Sequence, residues 1–257
     1  MRRLRHLSGQ HRTPATNRLL GGLLAFNAGA INAGGFLLVN LYTSHMTGFA
    51  SMLADNLVLG NTTLVLGAIG ALLAFTLGAA VTAVLVNWSR QNWLRSEVAL
   101  PLLVEALLLL AFGLLGASFT HQTPFAVPLT VLMLAFTMGL QNALVSKMSS
   151  SQIRTTHMTG VITDIGIELG KMIYWNRSER APESRVRANR IKLRLHGMLL
   201  TSFVGGGVVG AIGFKHVGFI WVVPLAIVLL ALSLPPLWAD FLRQRRLRKI
   251  RLARQSP

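Results

Sequence analysis

Thr43-Ser44-His45-Met46-Thr47-Gly48 returns later in the chain as Thr155-Thr156-His157-Met158-Thr159-Gly160, identical at five of six positions. Just upstream, Ala25-Phe26-Asn27-Ala28-Gly29-Ala30-Ile31-Asn32-Ala33 matches Ala135-Phe136-Thr137-Met138-Gly139-Leu140-Gln141-Asn142-Ala143 at five of nine. Weaker echoes follow: Phe75-x-x-Gly78 against Phe203-x-x-Gly206, and Pro101-Leu102 against Pro224-Leu225. Self-similarity carried at one long offset marks a duplication. Each copy reads as a long apolar helix, a His-Met-Thr-Gly turn, a short helix and two further apolar helices.

The copies are built for a membrane. Of 257 residues, 52% are hydrophobic and 13% charged, and the mean hydropathy is +0.54. A soluble domain carries about 25% charge. The chain has no cysteine, which excludes disulfides, thiolate nucleophiles and thiolate metal sites. A net charge of +17 on a soluble chain would point to nucleic acid. Membrane proteins, however, collect Lys and Arg in cytoplasmic segments for topological reasons, so no nucleic-acid partner is expected. The Arg-rich start precedes an apolar stretch of about 20 residues containing Asn27 and Asn32, longer and more polar than a signal-peptide core. It reads as a retained first span.

Windows able to cross about 30 Å of hydrocarbon lie at 19–39, 62–86, 99–117, 125–145, 197–214 and 218–239. The apolar pieces 49–59 and 161–174 are too short or too polar to cross alone. With the N-terminus inside, cytoplasmic segments hold 24 of the 25 Lys and Arg residues and only Lys215 lies outside. The positive-inside rule therefore predicts N-in and C-in topology in an inner membrane. Trp88, Trp93, Tyr174, Trp175, Trp221 and Trp238 fall near predicted span ends, as an interfacial belt requires. The expected organisation is a basic cytoplasmic tail at 1–18, a first repeat at 19–117, a second at 118–239 with a basic insertion at 176–196, and a basic tail at 240–257.

Three spans per copy is an odd number, so the copies must lie in the bilayer with opposite orientation. The predicted fold is an all-α integral membrane protein, six transmembrane helices as 3+3 inverted repeats, each with a short broken or re-entrant helix. The pattern Asn32-Ala33, Ser44-His45-Met46-Thr47-Gly48, Gly139-Leu140-Gln141-Asn142-Ala143 and Arg154-Thr155-Thr156-His157-Met158-Thr159-Gly160 resembles the YoaK-like family of bacterial membrane proteins. The resemblance runs over nearly the whole chain, and the second turn is its more specific part. It implies a six-span membrane protein of a family catalogued as a domain of unknown function, and supplies no activity or catalytic residue.

Broken elements at matching positions of inverted repeats are the best sequence pointer to a solute site. Asn32 and Asn142 are repeat-matched amides inside spans, where an amide needs a partner on a neighbouring helix or a solute. Thr47-Gly48 and Thr159-Gly160 read as helix starts, with Thr at the N-cap and Gly allowing close approach. Such starts end free N–H groups at an anion, or are capped turns with no ligand. His157, Asp164 and Glu168 fall within about 20° of one helical face and are either a functional cluster or a solvated face near Lys171. The solute-site residues predicted are thus Asn32, Thr47, Gly48, Asn142, His157, Thr159, Gly160, Asp164 and Glu168, converging near mid-bilayer. No catalytic residue, metal or cofactor is expected, since the His and carboxylate spacing matches no standard ligand motif.

Gly21, Ala25, Gly29 and Ala33, and likewise Ala135, Gly139 and Ala143, form smooth ridges that let helices approach. The expectation is that these two helices cross each other. Glu105, six residues into the third span, reads as a snorkelling or paired carboxylate near the inner interface, with proton relay as the alternative. The row Arg187, Arg190, Arg194 and the C-terminal run 243–254 read as anchors on anionic lipid headgroups. The leading function is a small-solute or ion transporter or channel with its path between the repeats. A non-transporting membrane module that assembles with a partner is the rival, and a membrane-embedded enzyme a third reading.

Overall fold

The computed structural model describes residues 13–92, 94, 96–118, 126–149, 153–175 and 185–255. The rest of the N-terminal tail, Trp93, the 119–125 segment and most of the basic insertion lie outside the described residues. Helix α1 (Pro14–Val39) starts in a capping box between Thr13 and Thr16, with Pro14 where a missing N–H costs nothing. It ends at Asn40, which takes the left-handed conformation (φ 54°) that Asn tolerates at a helix C-terminus. The short α2 (Met46–Leu59) stops at Gly60, whose φ of +70° any side chain would strain, and Asn61 caps α3 (Thr62–Gln91) at once. Then come α4 (Ala99–Ser118), α5 (Ala126–Met148) and the short α6 (Met158–Ile173). Asn189 caps α7 (Arg190–Val217) by accepting from the Ile191 and Lys192 amides, and a 3₁₀ turn (Gly218–Trp221) leads into α8 (Val222–Gln255).

Five stretches are long and apolar enough to cross a membrane: 14–38, 62–91, 99–116, 129–148 and the 58 residues of 190–247. The 3₁₀ turn, opened by Gly218 at φ +71°, divides that last stretch. Helices α2 and α6, 14 and 16 residues long, reach only about 21 and 24 Å at 1.5 Å per residue. Both fall short of a hydrocarbon core. The outer surface is apolar: only 22% of the α3 window is buried within the protein, and Val58, Leu66, Leu73, Leu77 and Leu114 all point outward. Exposed apolar area on this scale needs a lipid solvent.

Packing pairs α1 with α7, α3 with α5, and α4 with α8, and sets α2 on α3 and α6 on α7. Direction follows from which residues touch. Gly22 lies against Met198 and Gly34 against Phe214, so α1 and α7 run parallel. Gly78 lies against Phe136 and Thr82 donates to the Leu140 carbonyl (2.9 Å), so α3 and α5 are parallel as well. Helices α1 and α5 meet in opposite order, Gly35 near Leu134 and the Leu24 carbonyl accepting from Gln141 (2.9 Å).

Small residues set these contacts, though not between the helices expected. A Cβ on Gly29 would stand 2.0 Å from the Phe203 carbonyl, and one on Gly206 would stand 1.9 Å from that of Phe26. The other pair repeats the arrangement, Gly139 against the Phe75 carbonyl and Gly78 against that of Phe136, each at 2.0 Å. The ridge on α1 therefore faces α7 and that on α5 faces α3, rather than each other. The physical reason is mutual: a glycine ridge gives closest backbone approach where the partner also presents glycine, and the Phe-x-x-Gly echoes at 75–78 and 203–206 supply it.

Candidate functional site

The two turns share one backbone path. His45 (φ −92°, ψ 72°) and His157 (φ −81°, ψ 57°) occupy the N-cap positions of α2 and α6, and neither caps with its side chain. Helix therefore begins at Met46 and Met158, one residue before the expected Thr caps. Thr47-Gly48 and Thr159-Gly160 fall inside the first turns. The reason lies upstream: each turn is already fastened by an asparagine from the preceding long helix. Asn32 Oδ1 accepts from the Ser44 hydroxyl (2.9 Å) and the Ser44 amide (3.3 Å). Its repeat mate Asn142 donates to the Thr156 hydroxyl and accepts from that of Thr155 (3.4 Å). Both asparagines are buried, and the clasps engage Oδ1 of Asn32 and both amide atoms of Asn142.

The turns do not meet. Gly35 of α1 lies beside Thr43 and Gly21 beside Ile153, fourteen residues apart along the helix. That is about 21 Å at 1.5 Å per residue. Each turn has its own end of the bundle. At the first end the packing is aromatic: Phe36 stacks on Tyr42 (4.6 Å), Phe112 meets Phe219 edge-on (5.7 Å), and Gly34 and Gly213 lie under Phe214 and Trp221.

The second end holds a cleft of about 950 Å³ between the start of α1, the end of α5, the first turns of α6 and the start of α7. Thr159, Gly160 and Asp164 of the predicted residues line it, joined by Arg18, Arg154, Lys192 and His196. A Cβ on Gly160 would meet only Arg154 Nη1, at 3.7 Å, so this glycine faces open space. Among the described residues Arg18 and Arg154 are exposed and form no ion pair. With no side-chain cap at His157 and the Met158 N–H bonded to the Thr156 carbonyl, the backbone amides left at the start of α6 are those of Thr159 and Gly160, two residues that line this cleft.

Asp164 is tied to α7. Its carboxylate accepts from Lys192 Nζ (3.0 Å) and stands 3.6 Å from His196 Nε2. The Lys192 hydrogen bond holds the Asp164 carboxyl below its usual range. Glu168, one turn on, is buried away from the cleft. It accepts from the Asn189 backbone N–H (2.6 Å) and Lys171 Nζ (2.9 Å), and those two bonds, Asn189 first, hold its carboxyl low too. Asp164 and Glu168 share one face of α6, as read from the sequence, while His157 stands outside the helix. Glu168 and Asp164 thus fasten α6 antiparallel along α7, and only Asp164 also reaches the cleft.

Sequence reading passed over Arg18, Arg154, Lys192 and His196. Two signals pointed to them. Lys192 and His196 are spaced i, i+4, complementary to Asp164 and Glu168, and Arg154 replaces Tyr42 at the matching position of the first repeat. Among the described residues no group of three His, Asp or Glu could hold a metal ion.

No solved structure matches this chain. It is similar to the UPF0700 transmembrane protein YoaK of Bacillus subtilis (strain 168), 25% identical over 165 residues, which cover 64% of this chain and 72% of that protein. A family profile described as "Protein of unknown function (DUF1275)" matches residues 20–234, through both turns and all the long apolar helices. This chain is a membrane protein belonging to the DUF1275 family.

Proposed function

We propose that this protein is a six-span, inverted-repeat transporter of a small anionic solute, with the cleft beside Arg154 and Gly160 as its cytoplasmic vestibule. The observation that carries the reading is the cleft itself: about 950 Å³, entered from one end, lined by α1 of the first repeat and by α5, α6 and α7 of the second. The opposite end is packed with aromatic rings. Open at one face and closed at the other is the form alternating access requires of one state. The solute's charge follows from the lining. Lys192 is neutralised by Asp164, which leaves Arg18, Arg154 and the α6 amides to receive an anion.

The topology rests on contact order and charge. Repeat mates α1 and α5 run antiparallel, and partner exchange between copies is reciprocal, which supports an axis in the membrane plane. The 58-residue stretch, broken at Gly218, supplies the fifth and sixth crossings. Arg18, Arg90, Lys147 and Arg154 gather at the cleft end, whereas Lys215 sits near the aromatic end, which supports a cytoplasmic cleft in an inner membrane. The basic run on α8 after Asp240 fits an anchor on anionic headgroups.

A second reading has its own support. Backbone-to-glycine packing closes the centre, and the Asn32 and Asn142 clasps use polar groups that a solute path would need. Those features suit a non-transporting module. Uptake by proteoliposomes of labelled phosphate, sulfate, acetate and chloride separates the two. Transport of at least one anion is expected, and Gly160→Leu, which fills the cleft without touching the core, is expected to abolish it while leaving thermal stability unchanged. Full activity in that variant would sink the vestibule, and no uptake across the panel would leave the module reading in front.

A further inference from the structure

Among the described residues Glu105 is a fully buried carboxyl group that the cleft, the α6–α7 clasp and the helix ends do not employ. It lies on α4 with no solvent-accessible surface, and neither of its oxygens has a hydrogen-bond partner in ordinary geometry. It is neither snorkelling nor paired, contrary to the sequence expectation, because a close-packed wall of buried apolar side chains on α4 (Leu102, Ala106, Leu109) leaves no route to the interface. The polar group beside it is the Asn27 carboxamide of α1, itself buried, with both amide atoms unpartnered. On α5, Gln141 is buried too, its Nε2 committed to the Leu24 carbonyl and its Oε1 free.

The charges on elements packed around α4 stand elsewhere. Arg90 of α3 pairs with Glu97 (2.9 Å), and Lys147 of α5 donates to Asn87 (3.3 Å). Asp240 of α8 is bonded to Ser96, and Arg18 of α1 lines the cleft. None neutralises a Glu105 carboxylate. An ionised carboxylate with neither water nor counter-charge is the costliest group a protein interior can hold, whereas the neutral acid needs one acceptor for its O–H. Asn27 Oδ1 is unpartnered and can accept it.

We infer that Glu105 and Asn27 form a proton-binding site at the bundle interior and that its occupancy is coupled to opening of the helices around it. The coupling is a matter of access. The carboxyl, sealed in the packed state, exchanges its proton with water only when the bundle opens, so deprotonation favours the open form and protonation the packed one. As a proton site of a transport cycle the inference rests on the proposed function, but the site can be tested without any solute.

Infrared difference spectra of the full-length protein in lipid nanodiscs read the carboxylic-acid carbonyl band directly, and with only eight Asp and Glu residues the region is sparse. A protonated-carboxyl band at neutral pH is expected, lost in Glu105→Gln and shifted in Glu105→Asp and Asn27→Leu. No such band at neutral pH, or a band unchanged in Glu105→Gln, overturns the site. For the coupling, Ser233→Cys, at a buried position of α8, the helix packed on α4, reports opening of the bundle in the cysteine-free chain by maleimide labelling. Because glutamine mimics the neutral acid, labelling in the wild-type and Glu105→Gln backgrounds should agree at neutral pH. At alkaline pH it should diverge by at least about fivefold, the lower end of ordinary coupling. A ratio flat across pH overturns the coupling. A failed anion panel with the band in place defeats the transporter reading alone.

Discussion

The four reciprocal glycines and Gly160 carry the same residue type for opposite reasons. Gly29, Gly78, Gly139 and Gly206 each point at a backbone carbonyl within 2.0 Å of where a Cβ would sit, and a carbonyl inside a helix cannot rotate away. Alanine at any of them must push two helices apart, at a cost of about 1–3 kcal/mol for overpacking. Gly206→Ala and Gly78→Ala are therefore expected to lower the midpoint of detergent-solubilised thermal unfolding, while Gly166→Ala, which meets nothing within 4 Å, should leave it in place. Equal midpoints for the two classes would mean that these helices are not held by backbone contact. A motif search sees five identical matches in the two upstream segments; it does not say which glycine is packed and which is open.

Helix α6 is held to α7 by carboxylates rather than by a broad apolar face. Lys192 on Asp164, and Asn189 with Lys171 on Glu168, hold both carboxyls below the ordinary carboxylate range. The sign follows from linkage. A carboxyl depressed in the folded state contributes stability that is in place above its unfolded value and is lost as pH falls through the folded one. Protection of α6 amides in hydrogen exchange, corrected for intrinsic rates, should thus persist through mild acid and collapse below the usual carboxylate range. In Asp164→Asn/Glu168→Gln it should be low and flat across that window. Protection that declines near neutral pH would assign the clasp to another group. The i, i+4 rows on α6 and α7 were legible in the sequence, but Glu168 read as a solute ligand, because its partner, the Asn189 amide, comes from 21 residues away with a basic insertion between.

Among the described residues, Arg18, Arg90, Lys147 and Arg154 gather at the cleft end, with Lys215 at the other. Single cysteines in this cysteine-free chain test the orientation. Cysteine at Asn92 or Arg185 should be shielded from an impermeant maleimide in intact cells, and cysteine at His216 should react. External labelling at Arg185 would reverse the topology. Superposing 19–117 on 118–239 should likewise require a half-turn about an axis in the membrane plane, and a rotation about the membrane normal would refute the span count.

Hydrophobic length, charge bias and the duplicated His-Met-Thr-Gly turn each act within a few residues, and these local properties determined the helical elements, the membrane solvent and the pairing of Asn32 with Asn142 as equivalents. What Asn32 and Asn142 do was decided only in three dimensions. Each faces the loop that follows its own helix and fastens that loop by a hydrogen bond. The same holds for the glycine ridges, whose partners sit on helices far along the chain, and for the separation of the two turns. Antiparallel packing of α1 and α5 sends equivalent turns to opposite ends of the bundle. The described cleft lies at one of them, where Arg154 and the α6–α7 clasp have no counterpart in the first repeat.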